Sequence, residues 1–198
     1  MKNSSVLRLT LTSVMAALAY TVFTFLQIRI TLPGGDATSL HLGNAVCVLA
    51  ALLLGGVYGG VAGAIGMGIG DIFDPVYVIY APKTIILKFC IGLITGLLAH
   101  KIGKITQTGD KSHILKWTII AASGGMLFNF IFDPLVGYFY KILIMGKSAA
   151  ELTLAWNVFS TGTNGVLSVV VAVLAYIPIR RALILAGIFI KIGNEKEE

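Results

Sequence analysis

Between His41 and Asp71 the chain carries no charged residue, and that gap decides which folds are open to it. The run from Leu40 to Asp74 is nearly all apolar or glycine. As one helix, at ~1.5 Å per residue, it would far overrun a bilayer core of ~30 Å. Gly55, Gly56, Gly59 and Gly60 flank Val57 and Tyr58 at its middle, and clustered glycines make poor helix interior but good turns. The stretch therefore predicts a hairpin of two short, closely packed spans. Its open end carries His41 and Asn44 on one side and Asp71 and Asp74 on the other, which is the chemistry of a binding site set into a membrane.

The rest of the composition agrees. The chain is 57% hydrophobic and only 12% charged, whereas soluble domains are about a quarter charged. Residues 1–198 have room for a single transmembrane domain. The net charge of +6 does not point to nucleic acid, because the basic residues sit beside apolar spans and form no aromatic-laced patch. Cys47 and Cys90 each lie alone in an apolar span, which is neither a disulfide framework nor a zinc pattern. The first apolar run continues to Phe25 without an A-x-A site, so it is expected to remain as a span.

Taken in order, the pattern predicts an all-α bundle of six transmembrane helices. Span one is Leu9 to Leu26, and a loop follows from Arg29 to Leu42, marked by Pro33-Gly34-Gly35-Asp36. A connection of that length suits a lid, here residues 31–42. The hairpin supplies spans two and three, and a loop runs from Asp74-Pro75 to Ala81. Span four starts at Pro82 and ends near His100. A basic polar loop covers 101–116. Span five runs from Trp117 to Phe132, where Asp133-Pro134 ends or kinks it, with Leu135 to Met145 continuing it at the interface. Gly146 to Glu151 forms a turn, span six covers Leu154 to Ile177, and Glu195 to Glu198 is a charged tail. With both termini cytoplasmic, the inner side holds Lys2, Arg8, Lys101, Lys104, Lys111, Lys116, Arg180, Arg181, Lys191 and Lys196. The outer side holds only Arg29, Lys83, Lys141 and Lys147. Merging spans two and three would move the Lys101–Lys116 cluster outside, against the positive-inside rule.

Polar residues within the spans crowd toward the outer ends. Asp71 and Asp74 are three apart, and Thr84 and Lys88 are four apart, as are Asn129 and Asp133. Asn157, Thr161 and Asn164 follow an i, i+4, i+7 spacing beside Trp156, so each set shares a helix face, Asp71 and Asp74 if their helix persists that far. Lys88 is about two turns into its span, too deep for easy snorkelling, and needs an acidic partner or an anionic ligand. Ionisable groups in lipid normally face a bundle interior or a wet cavity. Each group also has a plainer reading. The paired aspartates could end a helix at the interface, Lys88 could form an internal ion pair with Asp71 or Asp133, and the asparagines could be interhelical glue. Their convergence is what argues for a site.

No catalytic constellation is evident. The acids lack the D-x-x-D-G-type spacing of metal-dependent phosphotransferases, no His-rich helix offers zinc ligands, and no P-loop is present. The residues do resemble a family, the substrate-binding S components of energy-coupling factor (ECF) vitamin importers, and within it the riboflavin-transporter-like group. The resemblance spans nearly the whole chain. It rests on His41-Leu42-Gly43-Asn44, on Leu52 to Gly55, on Gly66 through Asp71, and on Pro82, Thr84, Lys88 and Gly92. Asn44 stands where the group often carries Asp.

The resemblance implies a six-helix S component with an external loop over an outward-facing vitamin site. It also implies partners, a transmembrane coupling protein and two ATPase subunits, and no cofactor or bound metal. A small-residue face on span one would meet the coupling protein, through Ser13, Ala17 and Thr21 or through Thr12 and Ala16. The expected substrate-binding set is Asp36, His41, Asn44, Asp71, Asp74, Tyr80, Thr84, Lys88, Asn129, Asp133, Trp156, Asn157, Thr161 and Asn164. A B6 vitamer, a hydroxymethyl pyrimidine or riboflavin would suit such groups. The alternative from another class is a small membrane enzyme acting on a lipid or isoprenoid phosphate, with Asp71 and Asp74 holding Mg²⁺. A self-sufficient secondary transporter would need coupling-ion sites and usually internal repeats, and no clear repeat is present.

Overall fold

The computed structural model describes residues 2–32, 36–144, 146 and 150–189. Pro33, Gly34, Gly35, Met145, Lys147, Lys191, Lys196 and the tail Glu195 to Glu198 lie outside the described residues. Apart from one strand hairpin the architecture is helical. Its elements are α1 (Lys2–Phe25), β1 (Gln27–Leu32), β2 (Asp36–His41), α2 (Gly43–Leu54), α3 (Gly56–Ile72), α4 (Ala81–Gly96), α5 (Lys111–Leu143) and α6 (Ala150–Leu185). A 3₁₀ turn at Val78–Tyr80 leads into α4, and a π turn at Leu97–Ile102 leaves it.

Among the described residues, four segments are long and apolar enough to cross a membrane: Ser5–Phe25, Val78–Ile102, Lys111–Leu143 and Thr153–Leu185. The stretch around which the sequence is organised does break where the glycines cluster. Gly55 takes φ +96°, a left-handed conformation that L side chains rarely adopt, and ends α2. The two arms are unequal. All twelve residues of α2 are buried, surrounded by α1, α3, α4 and α6, which is where a helix apolar on every side belongs.

The seam partner α3 spends its glycines on three neighbours. On the α2 side, a methyl at Gly63 would drive into the Cys47 side chain, and one at Gly59 into Ala51. On the α1 side, a methyl at Gly66 would overlap the Ala16 carbonyl and press on Ala19. On the α4 side the approach is backbone to backbone, with Gly92 over Gly60 and Gly96 over Gly56. Small residues allow this contact in lipid, where association depends on van der Waals packing more than on any apolar driving force. Bulky apolar side chains face outward instead: Leu9 and Val14 on α1, Leu127 on α5, Val166 and Leu174 on α6.

Several boundaries differ from the sequence expectation. Pro134 lies inside α5, which runs on to Leu143, and Pro178 lies inside α6, so neither ends its helix. Neighbouring helices and side chains can satisfy the backbone groups a proline frees in a membrane bundle. The basic loop is shorter than 101–116. The chain stays helical through Ile102 and restarts at Lys111, where the Asp110 carboxylate accepts a hydrogen bond from the Ser112 amide at 2.9 Å. The lid region is an antiparallel hairpin, with Gln27 opposite His41 and Leu32 opposite Asp36.

Candidate functional site

One cavity of about 110 Å³ lies where the helices meet the hairpin at one end of the bundle. Its floor and walls come from Met67 and Asp71 on α3, Lys83, Thr84 and Lys88 on α4, Asp133, Gly137 and Lys141 on α5, and Asn157, Ser160, Thr161 and Asn164 on α6. Strand β2 forms the cover through Ala37, Thr38, Ser39 and His41. The helical spacings explain the assembly. Thr84 and Lys88 share one face of α4, Asp133, Gly137 and Lys141 recur every four residues on α5, and Asn157, Thr161 and Asn164 align on α6.

The charges are partly paired. Lys83 Nζ donates to Asp133 Oδ1 at 3.0 Å, and Thr161 Oγ1 donates to Asp133 Oδ2 at 3.3 Å, so one carboxylate joins α4 to α6. Lys141 forms an ion pair with Asp36, whose other oxygen accepts the Tyr80 hydroxyl at 3.0 Å. Burial pushes the Asp36 carboxyl up, but the Lys141 ammonium and the Tyr80 hydroxyl outweigh it and hold it below the usual carboxylate range. Lys88 is different. It is 5% exposed, its ammonium donates to Asn129 Oδ1 at 3.2 Å, and among the described residues it has no ion-pair partner within 4 Å. Asp71, 3% exposed at the end of α3, lines the same cavity without such a partner. A buried cation and a buried carboxylate thus line one cavity, with no ion pair within 4 Å between them.

The cover is fastened by side chains of α6. Asn164 Oδ1 accepts from the His41 amide and Asn164 Nδ2 donates to the Ser39 carbonyl, both at 2.9 Å, in the manner of an added strand residue. Thr38 and Ser160 hydroxyls lie 2.6 Å apart. The His41 ring packs edge-on against Phe23 at 4.8 Å, and its Nδ1 accepts from the Gly43 amide. Burial, reinforced by the Lys88 ammonium, pushes the His41 imidazole down to about 3, so the cover carries a neutral ring at physiological pH.

Of the residues singled out in the sequence, His41, Asp71, Tyr80, Thr84, Lys88, Asp133, Asn157, Thr161 and Asn164 line the cavity. Asn129 and Asp36 stand behind it, holding Lys88 and Lys141. Asn44 is 1% exposed within α2, with its Oδ1 unpartnered among the described residues, and it does not line the cavity. Asp74 turns away. It pairs with Arg29 of β1 and accepts from the Val76 and Tyr77 amides, so it closes the turn after α3. Trp156 is 46% exposed on the outside of α6. Because Asp71 and Asp74 go to different places, they do not form the Mg²⁺ pair of the enzyme reading. On α1, Ala16 is buried on α3, while Ser13, Ala17 and Thr21 are exposed in one row, the two hydroxyls turned back onto carbonyls four residues earlier.

Sequence reasoning overlooked Lys83, Lys141, Tyr77 and Ser160. Both lysines read as outer-surface charges, yet both turn inward to carboxylates far away in sequence. The four-residue recurrence from Asp133 to Lys141 was the available signal.

Asn164→Ala removes both fastenings of β2 and leaves the His41 amide and Ser39 carbonyl unpaired, at about 1–3 kcal/mol per buried group. The expected result is faster hydrogen exchange at residues 39–41 and ligand dissociation accelerated by roughly tenfold or more. Unchanged exchange in β2 would remove Asn164 from the fastening role.

An apolar bundle with four helices long enough to cross a membrane among the described residues has the build of a polytopic membrane protein. The family of ECF-type riboflavin transporter S components matches residues 3–181, and the chain belongs to it. No curated protein matches the sequence. The chain is therefore a multi-pass cell-membrane transporter component, a substrate-binding subunit for vitamin uptake, and not an enzyme.

Proposed function

We propose that this chain captures a small water-soluble vitamin or precursor at the outer face of the membrane. It then delivers the ligand through a complex with a transmembrane coupling protein and two ATPase subunits. The single observation that carries this reading is the cavity in which Lys88 and Asp71 have no ion pair within 4 Å among the described residues, beneath a fastened cover. Such a site suits a flat heteroaromatic with both hydrogen-bond donors and acceptors, as in a B6 vitamer, a hydroxymethyl pyrimidine or a riboflavin-like molecule. A cavity of about 110 Å³ is smaller than the ~300 Å³ at which ligand pockets usually begin. Entry therefore requires the β1–β2 hairpin to lift and reseat. Mass spectrometry of the small molecule that copurifies with the protein identifies the ligand. A lipid phosphate there, in place of a vitamin-like heterocycle, would overturn the reading.

The proposed topology has six crossings, with both termini and the Gly103–Asp110 loop in the cytoplasm, since basic residues concentrate on that side. Thr108→Cys, in a background lacking Cys47 and Cys90, is expected to resist a membrane-impermeant thiol reagent in intact cells and to react after lysis. Labelling in intact cells would exclude this topology.

The exposed row of Ser13, Ala17 and Thr21 suits close approach by another helix. Ala17→Trp is expected to keep ligand affinity in detergent while losing ATP-dependent uptake and copurification with the ATPase subunits. Lost ligand binding with an intact complex would overturn that assignment.

A further inference from the structure

At the end of the bundle opposite the cavity, a groove of about 530 Å³ runs between the start of α5 and the end of α6. Ile114 to Asp133 covers nineteen helical steps, so the two sites are separated by roughly 28 Å along α5. The groove has two kinds of wall. Leu115, Ile177 and Ile184 give it an exposed apolar side, while Lys111, Arg180 and Arg181 give it three cations. None of these cations has an ion-pair partner among the described residues. The neighbouring Asp110 carboxylate accepts from the Ser112 amide. Arg180 reaches the Ile105 and Thr108 carbonyls at 3.4 and 3.3 Å and lies over the Phe189 ring at 5.1 Å, none of which brings a neutralising charge, and its Nε has no hydrogen-bond partner among the described residues.

We infer that this groove is a binding site for an anionic phospholipid. The phosphate sits among Lys111, Arg180 and Arg181, and the first part of an acyl chain lies on Leu115, Ile177 and Ile184. A soluble anion would leave the apolar wall wet, and a zwitterionic lipid would leave the three cations uncompensated. A molecule with a net negative charge above a hydrocarbon chain offsets part of that positive charge and covers the apolar wall at once. Basic residues at a membrane surface favour anionic lipid by roughly fivefold in affinity per charge. Because Arg180 also holds the Gly103–Asp110 segment, lipid bound there would brace the loop that joins α4 to α5.

The test uses the full chain in detergent, with phosphatidylglycerol and phosphatidylcholine of identical acyl chains added at equal concentration. Native mass spectrometry reads the retained lipid. The wild-type protein is expected to retain phosphatidylglycerol with at least about tenfold preference, unaffected by millimolar inorganic phosphate. Arg180→Gln with Arg181→Gln should reduce the preference by roughly tenfold or more. Since Arg180 also supports the loop, Lys111→Gln with Arg181→Gln is the companion variant, which leaves that support intact and should lose selectivity to a similar extent. Equal retention of the two lipids by the wild-type protein overturns the inference and leaves the groove to a protein partner. Selectivity unchanged in the companion variant, or displacement of lipid by phosphate, also overturns it.

Discussion

Lys88→Ala is expected to reduce vitamin affinity by roughly 30-fold to 3,000-fold, the equivalent of the ~2–5 kcal/mol lost when one partner of a buried charged pair is removed. The ammonium sits seven residues into α4, buried and held by a neutral amide. Asp71 and Asp133 line the same cavity beyond ion-pair distance, so a polar group entering the cavity would complete its compensation. Asn129→Ala is expected to weaken binding less, because it leaves the cation in place and removes only its positioning. Lys104→Ala, in the loop at the other end of the bundle, should leave affinity unchanged. Isothermal titration calorimetry with the copurifying ligand measures all three. A folded Lys88→Ala variant with wild-type affinity would remove the cavity from consideration as the ligand site.

Gly92→Leu is expected to prevent the bundle from assembling. A methyl at this position would already overlap the Gly60 backbone, and backbone on both sides of a seam has no rotamer through which to yield. Overpacking a core costs about 1–3 kcal/mol when side chains can move, and this contact should exceed that range. The expected observation is loss of the monodisperse peak on size-exclusion chromatography. Gly165→Ala is the matched control, since a methyl there meets only Met126 Cβ at 3.8 Å, an ordinary contact. A monodisperse Gly92→Leu protein with unchanged Tm would show that α3 and α4 can be parted without loss.

The parts of the fold legible in sequence were those set by local chemistry. The glycine cluster after Leu54 marked the break between α2 and α3, because a left-handed turn at Gly55 is a property of that residue alone. The i, i+4, i+7 spacing on α6 placed three polar side chains on the cavity wall, because helical periodicity acts within a single element. What escaped depended on distant partners. Arg29 to Leu42 read as a loop because the pairing of Gln27 with His41 is confirmed only by the strand opposite, and β2 is further held by Asn164, 123 residues away. Lys141 and Lys83 looked like outer-surface charges until Asp36 and Asp133 were brought beside them. Pro134 read as either an end or a kink because the neighbours that let α5 continue are other helices. Asp74 shared a helix face with Asp71 on paper, but α3 ends at Ile72, so the two carboxylates part company.

The brevity of α2 has an electrical consequence. Twelve residues span only ~18 Å of a ~30 Å core, and the remaining depth on the outer side is occupied by the hairpin and the polar cavity. In the proposed orientation the insulating layer beneath the site is therefore thinner than the bilayer. Lys88, seven helical steps in from Ala81, lies roughly 10 Å below the outer surface. A charged ligand seated there has crossed at most about a third of the membrane voltage, because the polar cavity above it carries less of the drop than the apolar layer beneath. At ~2.3 kcal/mol per charge per 100 mV, that fraction is worth at most about 0.8 kcal/mol. A monoanionic vitamer would then bind up to roughly fourfold more weakly to an energised cell than to a depolarised one, a monocation correspondingly more tightly, and a neutral heterocycle equally well to both.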